Sequence, residues 1–144
     1  MRHTAAVGQG DVEFLREVYE EWGRGDYSRD FFAPDIAANA RGFVDMDGGQ
    51  RGIEDVIATQ RDWLRQWERP FVVEADEFID AGPCVVVFIR WRGRGRGSGA
   101  EVEAEGAHVW ELRDGKAVRW EIYRDRAKAL AAVGLAADAS GNGA

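Results

Sequence analysis

Two runs of alternating residues, Ala100–Leu112 and Ala117–Arg124, flank the pair Asp114-Gly115. Strict alternation is the pattern of a half-buried strand, and Asp-Gly suits a two-residue hairpin turn that needs positive φ at both positions. A chain that closes this way must build an antiparallel sheet with one face on a core. Parity then divides the side chains. Val102, Ala104, Gly106, His108, Trp110 and Leu112 share one face, while Glu101, Glu103, Glu105 and Glu111 share the other with Ala107 and Val109. In the closing strand Val118, Trp120, Ile122 and Arg124 share a face opposite Arg119, Glu121 and Tyr123. Charge puts the tryptophan-bearing faces inward.

The preceding strand, Cys84–Arg92, supports this assignment. Val85, Val87, Ile89 and Trp91 form an apolar face, and Arg90 and Arg92 lie on the other, where they can sit across from the glutamate row. Trp91, Trp110 and Trp120 therefore point to one interior, which Trp22 can close. A strand over Phe71–Asp80 reaches Cys84 through Ala81-Gly82-Pro83.

Helices come before the strands. Val12, Leu15, Val18, Tyr19 and Trp22 recur at helical spacing, with Asp11 as the expected cap and Gly23 and Gly25 as the stop. Met1–Gly10 reads as a flexible arm. Tyr27–Phe32 is expected as a short helix closed by Pro34, Ile36–Arg41 as a short strand, and Asp45–Gly52 as a polar loop. Ile53, Val56, Ile57, Trp63, Leu64 and Trp67 mark a further helix that Pro70 stops. Arg126–Val133 is a last short helix ended by Gly134, and Ala136–Ala144 reads as a disordered tail. The domain is expected over 11–135, between the arm at 1–10 and the tail at 136–144. Helices followed by a run of antiparallel strands give the α+β class.

Composition narrows the function. The chain has 144 residues, 45% hydrophobic, with six tryptophans and a net charge of −7. A strongly acidic chain does not offer the basic face that phosphates need, so no nucleic-acid partner is expected. The tract Arg92–Gly99 alternates Arg and Gly, but between two strands it reads as a flexible hairpin loop. No apolar run is long enough to span a membrane, and the first ten residues lack the apolar core of a signal peptide, so the expected compartment is the cytoplasm. Cys84, the lone cysteine, reads as a buried small hydrophobe. With two histidines, His3 and His108, no metal cluster and no cofactor are expected.

Several segments in order, Phe14–Asp26, Phe32–Asp35, Gly52–Ile57, Ala107–Lys116 and Tyr123–Leu130, resemble a SnoaL-like protein of the nuclear transport factor 2-like, or ketosteroid isomerase-like, superfamily. The resemblance covers about residues 11–135. It implies a curved antiparallel sheet wrapped around the N-terminal helices, a cone-shaped α+β barrel with an interior pocket. It also implies a homodimer through the outer sheet face. Such a fold hosts isomerases, cyclases, epoxide hydrolases, dehydratases and binding domains, so function must be argued from the site. Ketosteroid isomerase uses an Asp base with a Tyr and a protonated Asp as oxyanion hole. By motif its Tyr falls at Val18, beside Tyr19. Its base falls near Ala40, beside Asn39, and its oxyanion-hole Asp falls at His108. The inward acid that cyclases and limonene epoxide hydrolase-like enzymes carry on the last strand falls at Ile122. None of these three mechanisms transfers whole.

Three readings follow. The leading one is a domain that binds a small apolar or aromatic molecule through Val18, Tyr19, Trp22, Asn39, Trp91, Trp110, Trp120, Ile122 and Arg124, with His108 as the candidate catalytic group. The rival is a metal-independent lyase, isomerase or cyclase acting on a carbonyl or cyclic small molecule, with His108 as general base and Tyr19, Asn39 or Arg124 polarising the carbonyl. The third is a structural or dimerisation domain whose interior is filled by its own side chains. Asp45 and Asp47 read as solvated turn residues near a pocket mouth.

Overall fold

The structure is a computed structural model that describes residues 3–41 and 49–135, with side chains from Gly10 onward, Arg41 excepted. The Asp45–Asp47 loop and the 136–144 tail lie outside the described residues. The elements are α1 (His3–Trp22), β1 (Phe32–Arg41), β2 (Gln50–Arg51), α2 (Ile53–Arg65), β3 (Trp67–Ala81), β4 (Cys84–Gly95), β5 (Glu101–Arg113), β6 (Lys116–Tyr123) and α3 (Arg126–Ala132). They form the expected α+β arrangement. The six strands lie in one sheet in the order β2-β1-β6-β5-β4-β3. Two features refine the expectation. The sheet is open, and it is mixed, because β1 runs parallel to β6.

The closing hairpin is the part that follows most directly from sequence. Asp114 and Gly115 take φ of 55° and 75°, the positive values a tight turn requires. His108 pairs with Ile122 and Trp110 with Trp120. Parity fails at one point. Glu111 pairs with Arg119 but Leu112 pairs with Ala117, so Val118 is an extra residue in a bulge. Ala117, not Val118, therefore joins the buried core. Between β4 and β5, Arg90 faces Glu105, Arg92 faces Glu103 and Arg94 faces Glu101. Val85, Val87 and Ile89 are buried in the main core with Trp91 packed against it, as the alternation requires.

The outer face is not wholly solvated. Val86, Ala107 and Val109 form a second small core under Ala129, Leu130 and Val133. Asp125 caps α3 by accepting from the Ala127 amide at 2.9 Å. Arg126 then anchors the helix, donating to Gly106 O, Ile89 O and Asp76. Burial would lift the Asp76 carboxyl, but the Arg126 and Arg90 bonds outweigh it and hold it below the usual carboxylate range.

Four local expectations are corrected. First, α1 begins at His3, so residues 3–10 are helical and Asp11 lies within the helix instead of capping it. Second, 27–30 form no helix and β1 already starts at Phe32. Tyr27 donates to Phe71 O at 2.5 Å, and this long-range bond takes the place of a local turn. Third, α2 ends at Arg65, and Trp67 and Pro70 belong to β3. Arg96 draws the junction together by donating to Arg65 O at 2.8 Å and to Trp67 O at 2.9 Å. Fourth, the Arg-Gly tract is only half loop, since β4 continues to Gly95. A Cβ at Gly93 would come within 2.7 Å of both the Trp67 and Phe71 rings, so this glycine lets two aromatic rings lie on the backbone.

Candidate functional site

Between the inner face of the sheet, α2 and the end of α1 lies a cavity of about 90 Å³. Each wall comes from a different element. Trp22 closes α1, Ala38 comes from β1, and Val56, Thr59, Gln60, Trp63 and Leu64 come from α2. Tyr27, Gln50 of β2, Phe71 and Val73 of β3, Ile89 and Trp91 of β4, Glu105, Gly106 and His108 of β5, and Trp120, Ile122 and Tyr123 of β6 complete the lining. A second cleft of about 280 Å³ adjoins it and shares Trp22, Tyr27 and Gln60.

The aromatic residues form two groups. In the first, Trp110 and Trp120 stack with centroids 4.9 Å apart and planes at 9°, and Trp22 leans on both. In the second, Trp63, Trp67, Phe71 and Trp91 pack within 5.9 Å of one another. The second group had little sequence signal, because Trp67 reads as the end of a helix. The contact that reveals it is Gly93 beneath two rings.

His108 is the one polar side chain buried in the main core's surroundings among the described residues, at 5% exposure. Its Nδ1 lies 2.5 Å from the Tyr19 hydroxyl, and that same oxygen accepts a bond from Trp110 Nε1 at 2.8 Å. An indole nitrogen can only donate, so Tyr19 accepts from Trp110, and the same hydroxyl bonds His108 Nδ1 as donor or as acceptor according to the imidazole tautomer. No group among the described residues bonds Nε2. Burial pushes the imidazole down to about 3, so it is uncharged near neutrality, and burial holds the Tyr19 phenol well above its ordinary value. A neutral ring with Nδ1 engaged by Tyr19 presents only Nε2 to the cavity, and burial that lowers its basicity makes it poorly suited to act as a general base. Trp120 Nε1 is also buried with no partner, as is Trp67 Nε1.

Of the residues singled out from sequence, Trp22, Trp91, His108, Trp120 and Ile122 line the cavity. The others do not. Val18 and Trp110 are fully buried behind the wall, where the ring stack and α1 pack solidly. Tyr19 stands behind His108 and touches the cavity only through it. Asn39 points to the other side of β1, into a groove with Gln50 and Glu121, since Ala38 holds the inward parity. Arg124 is exposed, because β6 ends at Tyr123 and the alternation that aimed it inward ends there too. The α2 residues Val56, Thr59, Gln60 and Trp63 were not anticipated. Their spacing marks an amphipathic helix but not which cavity it covers. Among the described residues no group of His, Cys, Asp and Glu could hold a metal ion, and no helix is long and apolar enough to cross a membrane.

The SnoaL-like domain family model matches residues 2–120. No curated protein matches the chain. Among solved structures, an NTF2-like protein of unknown function from Burkholderia pseudomallei K96243 is 26% identical, with 86% of this chain and 97% of that one covered and a TM-score of 0.67. A candidate SnoaL-like polyketide cyclase from Jannaschia sp. CCS1 is 20% identical over 87% of this chain and 92% of its own, with a TM-score of 0.69. TerC, co-crystallised with polyporic acid, is 21% identical over 85% and 97%, with a TM-score of 0.65. These structures share the fold of helices on an open mixed sheet described above, and the family match spans most of the chain: the protein belongs to the SnoaL-like domain family.

Proposed function

We propose that this SnoaL-like domain binds a compact, flat, apolar molecule in the cavity between α2 and the sheet. The observation that carries the reading is a preformed space walled by Trp22, Trp63, Phe71, Trp91 and Trp120. Apolar walls with a few placed polar groups are the usual composition of a small-molecule site. The size limits the ligand. An apolar cavity of about 150 Å³ holds benzene, so a space of about 90 Å³ takes a single ring at most, with any extension running past Gln60. A purely structural interior is disfavoured by the same space. Catalysis with His108 as base is disfavoured by the burial that lowers its basicity. Pairing of two copies through the outer sheet face, and a cytoplasmic setting, belong to the same proposal.

The test is titration with single-ring aromatics while following the indole resonances by NMR. The cavity tryptophans should shift, and Ala38→Leu, which fills the space from β1, should abolish the shifts while the protein stays folded. Unchanged binding by the filled variant would refute the reading.

A further inference from the structure

We propose that the cleft beside the cavity is a second compartment of the same binding site, that it takes a slim, uncharged alkyl chain carried by the ring in the cavity, and that Gln60 is the residue that sets how long a ligand the site accepts. The inference rests on the binding reading above and adds the second part of the ligand.

The two spaces meet at one place. Trp22, Tyr27 and Gln60 border both the cavity of about 90 Å³ and the cleft of about 280 Å³. The spacing along α2 explains why Gln60 stands at the junction. Val56 and Trp63 line the cavity, and Ile53 and Ile57 line the cleft. Gln60 lies four residues after Val56, three after Ile57 and three before Trp63. Residues three and four apart are neighbours on a helix surface, so both rows converge on this one side chain.

Of the three shared side chains, two are fixed. Trp22 is 2% exposed and wedged against Phe31, Trp110 and Trp120. Tyr27 is held by its hydrogen bond to Phe71 O. Gln60 is only partly buried, and its side-chain amide makes no hydrogen bond with any described residue. It can turn aside without breaking an interaction. Turning one unbranched side chain frees the width of a methylene chain, not of a second ring.

The lining of the cleft defines the chain. Phe31, Phe32, Ile53 and Ile57 give it an apolar surface. Its one basic group, Arg29, is already engaged, since it gives Glu21 two hydrogen bonds at 2.6 and 2.9 Å. A carboxylate at the end of the chain would compete with Glu21 for that guanidinium and would also meet Asp30. The chain that fits is therefore an alkyl chain with no charged end.

Toluene, ethylbenzene, propylbenzene and butylbenzene are the probes, titrated against the full chain and followed by the indole resonances. Affinity should rise about fourfold for each added methylene, the gain expected of one buried CH₂. Ile57→Trp fills the cleft from a residue that does not line the cavity, so toluene should still bind and the rise should disappear. The smaller change Ile53→Phe should reduce the rise in part. Gln60→Ala should increase the preference for butylbenzene over toluene several-fold, and Gln60→Trp should abolish it. 4-Phenylbutanoate should bind more weakly than butylbenzene. Failure of toluene to bind the unaltered protein would overturn the binding reading and this inference together. Toluene binding with no rise along the series would overturn the second compartment and leave the binding reading intact. A rise that survives in both isoleucine variants would place the chain elsewhere and overturn it too. A preference unmoved by either Gln60 variant would overturn the role of Gln60, and tighter binding of 4-phenylbutanoate would overturn the uncharged chain.

Discussion

His108 is a basic ring placed where a charge cannot be solvated, and folding is therefore linked to pH through it. Its folded value of about 3 lies below the ordinary 6.5 that it regains on unfolding. As pH falls, the unfolded chain takes up the proton first. The contribution is intact above about pH 6.5 and is lost progressively as pH falls toward 3. By pH 5 the loss is roughly 2 kcal/mol. Urea unfolding at pH 7 and pH 5 should show the protein losing about that much more than His108→Asn, which cannot titrate; equal losses would contradict a buried neutral ring. Gly106, two residues away, carries a different constraint. A Cβ there would lie 2.5 Å from Tyr123 O, on backbone that cannot swing aside. Gly106→Ala should cost about 1–3 kcal/mol as an overpacked site, whereas Gly97→Ala, with open space around it, should cost little. Neither glycine's role is legible in sequence, because a strand glycine and a loop glycine look alike until the neighbouring backbone is known. His108 was legible as an inward residue from parity alone, but its hydrogen bonding was not, since Tyr19 meets His108 and Trp110 only across 89 and 91 residues.

At the scale of elements, legibility follows how local the determining forces are. β4, β5 and β6 each turn one face to the main core, so alternation oriented them correctly, and the charge rows fell opposite as expected. Alternation broke at Val118, where a bulge changes parity with no mark in the residue types. The 27–30 segment and the end of α2 were misread because each is settled by a distant bond, Tyr27 to Phe71 and Arg96 to Arg65 and Trp67. The second of these is a joint of consequence, since α2 supplies one wall of the cavity. Removing the guanidinium in Arg96→Ala leaves two carbonyls to solvent and frees the corner. The expected cost is about 1–2 kcal/mol. Hydrogen exchange should accelerate in the last turn of α2 and the start of β3 and stay unchanged in the β5–β6 hairpin. Uniform acceleration across the sheet would mean that the corner is not a local joint.

At the scale of the molecule, the two sheet faces have been given different tasks. The inner face makes the cavity. The outer face is covered by α3 only over Val86, Ala107 and Val109, and beyond it lie ion pairs. Arg92 meets Glu74 at 3.3 Å, Arg90 meets Asp76 at 3.1 Å and Arg94 meets Glu101. If two copies pair through this face, as proposed, the contact is made of alternating charges and not of an apolar patch. Exposed charge pairs attract over about a Debye length and are screened by salt. Pairing should then be strongest at low salt and weaken at roughly 0.5 M, where the Debye length has shrunk to a few ångströms. Reversing one row with Arg92→Glu should weaken it at low salt as well, by setting like charges against each other, while leaving the cavity's ligand shifts in place. Light scattering reads both effects directly. A 16.0 kDa particle at low salt would end the dimer proposal, and a dimer indifferent to salt would mean that an apolar surface other than this face holds the copies together.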